Sequence, residues 1–301
     1  MARPDREMFP PENRIHLILL ILWCAIASIV RLIDLDVKPI WSDEFATLAF
    51  SLGQGFHEIP LDIPIAPELL LHPLEIDPSL GVTAVPERLF AESNHPPLYF
   101  MLMHLWVDGL ATPGELVPIG IARSLSVLFG VATVPAVFGL AWLSFRSQWV
   151  GQIAAALMAV SPFGIYLAQE ARHYTLAILL AIASLACLTV GIRRLNRQIS
   201  LPLWLFIVSV GINTLGMAVH FFFVFLLIAE GAIVLRLWIG DLRRSPLQFP
   251  TFKTWKGFYF VAWGTMVGGL AWLPIFLEIS SGDSELTAWA SPSDPMEILI
   301  Q

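Results

Sequence analysis

Charge is what this 301-residue sequence has least of: 14% of its residues are Asp, Glu, Lys or Arg, where soluble domains carry about 25%. With 56% hydrophobic residues and a mean hydropathy of +0.72, that shortage excludes an ordinary water-soluble domain. Basic charge is scarcer still, 17 Lys and Arg against 24 Asp and Glu, so nothing here offers nucleic acid a basic surface. Cysteine is nearly missing. Cys24 and Cys187 lie in apolar runs, where a thiol acts as a small hydrophobe, and they give neither a disulfide framework nor a metal-ligand spacing. Internal repeats and low-complexity tracts are not evident. The polar start MARPDREMFPPENR leads into an apolar run without a small-residue cleavage pattern, which reads as an uncleaved first span.

What is present is a series of uncharged stretches long enough to cross a hydrocarbon layer of about 30 Å. Hydropathy predicts eight helices, at 15–33, 97–110, 119–143, 149–168, 173–191, 201–218, 220–238 and 257–279. Between the first two lies an acidic insertion, 34–94, with Asp34, Asp36, Asp43, Glu44 and seven further acids against Lys38 and Arg88. Its prolines forbid one long helix and predict short helices lying on the membrane surface. The expected fold is therefore an all-α polytopic membrane protein with about seven to eight transmembrane helices and a long outer first loop. Residues 1–14 form its cytoplasmic start.

Orientation follows from Arg193, Arg194 and Arg197, and from Arg236, Arg243, Arg244, Lys253 and Lys256, which the positive-inside rule assigns to the cytoplasm. The acidic insertion then faces out. Eight full crossings from an inside N-terminus would place those basic loops outside. Parity and charge agree if 97–110 dips in without crossing, since it is short, begins Pro-Pro and is followed by ATPGELVPIG with no Lys or Arg.

Four stretches then fall on one membrane face: IWSDEFAT with Asp43 and Glu44, ESNHPPLYF with His95, QEARHY with Glu170, Arg172, His173 and Tyr174, and MAVHFFF with His220. Ionisable residues beside membrane segments are costly and point to a protein interior or a wet cavity. Each also has a plainer reading. Ser42 or Asp43 would serve as a helix cap, Glu170 and Arg172 as a packing salt bridge, Arg123 as a partner for Glu115, and His95 as a helix-entry hydrogen bond. His173, Tyr174 and His220 are residue types more often of helix interfaces than of ligands.

This ordered set resembles the C-type glycosyltransferase superfamily, and within it the protein O-mannosyltransferases and bacterial aminoarabinose transferases. The likeness is carried by Asp-Glu soon after the first span, HPPLYFMLMHLW, the arginine of IARSLSVLFGVATVPAVFGLAW, SPFGIYLAQEARHYTLAILL, and His220 in a turn. It covers most of the chain in order. The resemblance implies a multi-pass enzyme of the bacterial inner or plasma membrane with its site on the outer face. Such an enzyme takes a sugar from a polyprenyl-phosphate donor and passes it to a lipid, glycan or protein acceptor. The family's reaction-centre carboxylates map onto Asp43 and Glu44. On this likeness 15–279 is the transmembrane module, and 280–301 begins a second outer loop of a chain that is truncated or short.

The chemistry suits these residue types. A lipid phosphate is already a competent leaving group, so Arg172 or Arg123 would clamp its growing charge, and the acceptor hydroxyl needs one base for inverting displacement. Asp43 is that base in this reading, strengthened by Glu44 beside it and by partial desolvation. Glu170, His95, His173, Tyr174 and His220 would line the donor site. No cofactor is required; a divalent metal at Asp43, Glu44 and His95 is conceivable, but the spacing carries no ligand signature. The rival class is a transporter or flippase of a lipid-linked or anionic substrate, which would show two related halves and a midplane site.

Overall fold

The computed structural model describes residues 11–55, 59, 63–244 and 252–272, so residues 280–301 and most of 1–14 lie outside the described part. The described chain is all-helical. Among these residues there is no strand, and an isolated bridge joins Glu75 to Leu116. The helices are α1 (Pro11–Leu32), α2 (Ser42–Ser51), α3 (Pro67–Leu71), α4 (Ala84–Glu92), α5 (Leu98–Asp108), α6 (Ile119–Phe145), α7 (Gln148–Ala159), α8 (Pro162–Ala168), α9 (Tyr174–Asn196), α10 (Leu203–Val219), α11 (Phe223–Arg244) and α12 (Phe252–Leu270).

Four of them, in α1, α6, α9 and α11, are long and apolar enough to cross a membrane; α7 and α8, bent by 57°, make a fifth if taken as one span. These long apolar helices are compatible with an integral membrane protein. The expectation of a single helix over 149–168 is corrected here. Pro162 has no N–H to continue the ladder and stands at the first turn of α8, where the loss is harmless. Ser161 completes the restart by accepting the Gly164 N–H at 3.2 Å.

The carbonyls freed at that break are taken by a residue of another helix. Arg31, fully buried near the end of α1, donates to Ala159 O at 2.8 Å and Met158 O at 3.0 Å. Close approach is needed for this, and Gly130 of α6 allows it: a Cβ there would stand 2.8 Å from the Ala168 Cβ and 3.4 Å from Arg31 Nε. Helix α6 runs through the middle of the assembly, packed on α1, α7 and α9, while α10 packs between α9 and α12.

Helix α5 has 11 residues, a length of about 16 Å and half of what a crossing needs. Both of its ends are fixed by contacts outside the helix. The connector after it is laced to the acidic insertion by Ile76 N–H to Glu115 O at 3.0 Å, Gly114 N–H to Ile76 O at 2.8 Å and Val117 N–H to Leu74 O at 2.9 Å. Its entry, at Pro96 and Pro97, is buried beside the start of α9 through the His95–His173 ring contact. The helix buries Tyr99, Phe100, Met103 and Val107 in a core shared with α2, α4 and α6. Prolines divide the acidic insertion, as its composition predicts, into α2, α3, a 3-10 turn His72–Leu74 and α4.

Candidate functional site

The ends of α1 and α10 and the starts of α2, α5, α6, α9 and α11 meet at one end of the bundle. A buried ion pair fixes them. Glu44 and Arg123 are both fully buried, and the guanidinium grips the carboxylate through Nε to Oε1 and Nη2 to Oε2, each at 2.8 Å. The remaining hydrogens go to backbone: Nη1 to Leu35 O at 2.7 Å and Lys38 O at 2.9 Å, and Nη2 to Pro39 O at 3.4 Å. Glu44 Oε1 also accepts the Ala171 N–H at 2.7 Å. All five guanidinium N–H groups are thereby used.

This geometry corrects two expectations. Arg123 keeps no donor for a lipid phosphate, and its partner is Glu44 rather than Glu115. Glu44 is sealed from any acceptor. Two residues adjacent on a helix point about 100° apart, so α2 turns Glu44 into the bundle and leaves Asp43 at the rim. Neither Ser42 nor Asp43 caps the helix; Trp41 holds the N-cap position without a side-chain bond, and both acids sit in the first turn, where the helix dipole favours them.

Asp43 is half exposed, and its neighbour is Arg172, with Nη2 to Oδ2 at 3.3 Å. Arg172 is otherwise buried, with both terminal nitrogens committed: Nη1 donates to Asp43 O at 2.9 Å and to Thr47 Oγ1 at 2.7 Å, and Nη2 to the Tyr174 hydroxyl at 3.1 Å, while Nε is buried without a partner. Its guanidinium lies over the Trp41 and Tyr174 rings, 5.8 and 5.2 Å from their centres. A bidentate phosphate clamp is thus not open at Arg172 either; what it gives the rim is charge and the placement of Asp43. Glu170, 1% exposed, pairs with Lys38 and not with Arg172, and the Lys38 ammonium also caps the Tyr166 ring.

The histidines do converge. His173 contacts His220 with ring centres 4.6 Å apart and His95 at 6.0 Å, with Tyr174 and Tyr99 against its other sides. His95 Nδ1 is bonded to Ser93 Oγ at 2.9 Å, and His220 Nδ1 accepts the Phe222 N–H at 3.1 Å. His173 Nδ1 is buried with no partner. Burial, then the Arg172 charge, holds all three below the free-histidine value: His95 at about 4, with His173 and His220 also lowered. The cluster is therefore neutral at neutral pH. Among the described residues no group of three or more His, Cys, Asp or Glu is disposed to hold a metal ion.

Two residues of this end escaped the sequence reading of the site. Lys38 is one of two cations in the acidic insertion, and Arg31 sits in an apolar run; a charge kept just inside the end of a predicted span is the signal Arg31 carries. Compared with known proteins, the chain matches no family model, no curated protein and no solved structure.

The histidine cluster makes stability depend on pH with a definite sign. A folded-state pKa below the unfolded one contributes no pH dependence above pH 6.5, and stability falls as pH drops from 6.5 toward about 4, because the unfolded chain binds more protons there. The thermal midpoint in detergent, followed from about pH 8 to about pH 5, should fall at the acid end, and a His95→Gln/His220→Gln variant should flatten that slope. An unchanged slope in the variant would remove the cluster as its source.

Proposed function

We propose that the chain is an integral membrane glycosyltransferase of the C-type kind, moving a sugar from a polyprenyl-phosphate donor to an acceptor hydroxyl at the membrane's non-cytoplasmic face. The observation that carries this reading is Asp43: a half-exposed carboxylate, pinned by Arg172 through Oδ2 and with no bond to Oδ1 among the described residues, at the bundle end away from the arginine-rich loops. The Trp41 and Tyr174 rings flank the Arg172 guanidinium that pins it, and a ring face turned away from Arg172 is a surface on which a sugar would stack.

In the step itself, Asp43 takes the proton from the acceptor hydroxyl as that oxygen bonds to the anomeric carbon. The bond from this carbon to the phosphate oxygen breaks on the opposite side, inverting the centre and releasing polyprenyl phosphate. Arg172 acts through its field and by holding Asp43. Tyr174, His95 and His220 form the wall facing the sugar, with His173 buried behind them and the histidines uncharged. Glu44, Arg123, Glu170 and Lys38 belong to the scaffold beneath. The acceptor hydroxyl belongs to a lipid, glycan or protein in this reading, and membrane lipids are the surrounding partners.

The topology that goes with this reading has seven crossings: α1, α6, the bent α7–α8 pair, α9, α10, α11 and α12, with α5 outside. It puts Arg193, Arg194, Arg197, Arg236 and Arg243 on the cytoplasmic side and the Asp43 end outside, in accord with the positive-inside rule. The bent pair is the feature that speaks for a transporter, whose broken helices line a substrate site. Here the break is occupied by Arg31, which weighs against transport.

Asp43→Asn should reduce sugar transfer at least ~100-fold in membranes supplied with polyprenyl-phosphate sugar, while the protein accumulates and still binds the lipid donor. Normal turnover in that variant would remove the proposed base. In a background without Cys24 and Cys187, Thr112→Cys in the connector after α5 should react with an impermeant maleimide from outside intact cells. Labelling only after permeabilisation would refute the seven-crossing topology.

A further inference from the structure

Helices α9, α10, α11 and α12 line a half-open cavity of about 570 Å³, well within the range of small-molecule sites. Its wall is largely apolar and aromatic, with Trp238, Trp255, Phe258 and Met266. One patch is different. There Glu230, 8% exposed, faces Ser184, with Asn213 and Thr265 completing the polar group.

The hydrogen count in that patch does not balance. Ser184 Oγ lies 3.0 Å from both carboxylate oxygens of Glu230 and 2.9 Å from Asn213 Oδ1, so three acceptors compete for one hydroxyl hydrogen. Asn213 Nδ2 gives one of its two hydrogens to Thr265 Oγ1 at 3.1 Å, and none to Glu230. Turning the amide end for end relieves Asn213 but leaves both Glu230 oxygens sharing that single hydrogen. No cation answers the carboxylate. Glu230 makes no ion pair among the described residues, and Arg236, the next cation along α11, lies about two turns away on another face of the helix. From Gly257 to Gln301 the sequence has no Lys, Arg or His.

We propose that this cavity binds a hydrophobic molecule bearing a protonated amine, with the ammonium at Glu230 and the apolar body among the aromatic walls. An ammonium brings three donors and a positive charge, the two things the patch is short of. Neighbouring indole and phenol rings favour a cation as well. A neutral alkyl guest fills the volume and leaves the donor shortage; an inorganic cation meets the oxygens and leaves the apolar volume; an anion opposes Glu230. The site uses none of the residues assigned to sugar transfer and stands apart from that reading.

The test is equilibrium binding of radiolabelled decylamine to the full chain in neutral detergent, with decanol and decanoate as competitors. Saturable binding is expected, with decanol and decanoate each competing at least about tenfold more weakly than unlabelled decylamine. Glu230→Gln should erase the preference for amine over alcohol, and Asp43→Asn should bind decylamine as the parent does. Equal competition by decanol, no saturable binding, or an amine preference that survives Glu230→Gln would each overturn the proposal. Because the ranking of competitors is read on the unmodified chain, it decides the matter even if Glu230→Gln fails to accumulate. Asp43→Asn that loses transfer yet keeps decylamine separates this site from the transfer site.

Discussion

One guanidinium organises the end of the bundle that carries the candidate site. Arg123 arises from the first turns of α6, and its five hydrogens reach three carbonyls of the α1–α2 linker and the Glu44 carboxylate of α2. Glu44 in turn accepts the backbone N–H of Ala171 ahead of α9. Four separate stretches of chain are thus tied through two side chains that see no water. Two buried charges are costly to desolvate, and they are tolerable only because every donor and acceptor between them is used. The same completeness makes the arrangement unforgiving: a shift of α2 by one residue would put Asp43 into the buried position and strand the arginine.

Everything at the rim follows from that placement. With Glu44 turned inward, α2 can only turn Asp43 outward, and Arg172, one residue past Ala171, comes into reach of it. Tyr174 follows on the first turn of α9 and stacks on both Arg172 and His173. The scaffold pair and the exposed pair are therefore parallel versions of one motif, acid on α2 against arginine. One is sealed and structural. The other is open and, in the proposed reaction, chemical.

The sequence made the helical class legible, because charge-poor runs of span length have few other uses, and it set 97–110 apart as short, where the helix that forms has 11 residues. It also brought Asp43, Arg172, Tyr174 and the three histidines to one end. It could not separate the two acids. Asp43 and Glu44 are neighbours in the string, and which faces inward depends on where α2 begins, which only the Arg123 cradle decides. For the same reason Arg123 read as a phosphate ligand: its partner is 79 residues away, and no local pattern announces it. The split of 149–168 was masked by continuous hydropathy, although Ser161-Pro162 carries the break. Glu230 passed unnoticed as a lone charge in an apolar run, where only its three-dimensional neighbours show the shortage of hydrogens.

The claim that the Glu44–Arg123 pair sets this end of the fold is tested most directly by a double-mutant cycle on unfolding in detergent, with Glu44→Gln and Arg123→Met. Each single change should cost about 3–5 kcal/mol, since it leaves the other group buried and unmatched, while Asp43→Asn stays within about 0.5 kcal/mol. The double variant should cost far less than the sum, with a coupling of about 2 kcal/mol or more. Costs that add to within about 0.5 kcal/mol would mean that the two residues stabilise the fold independently, and the pair would not be what places Asp43 at the rim.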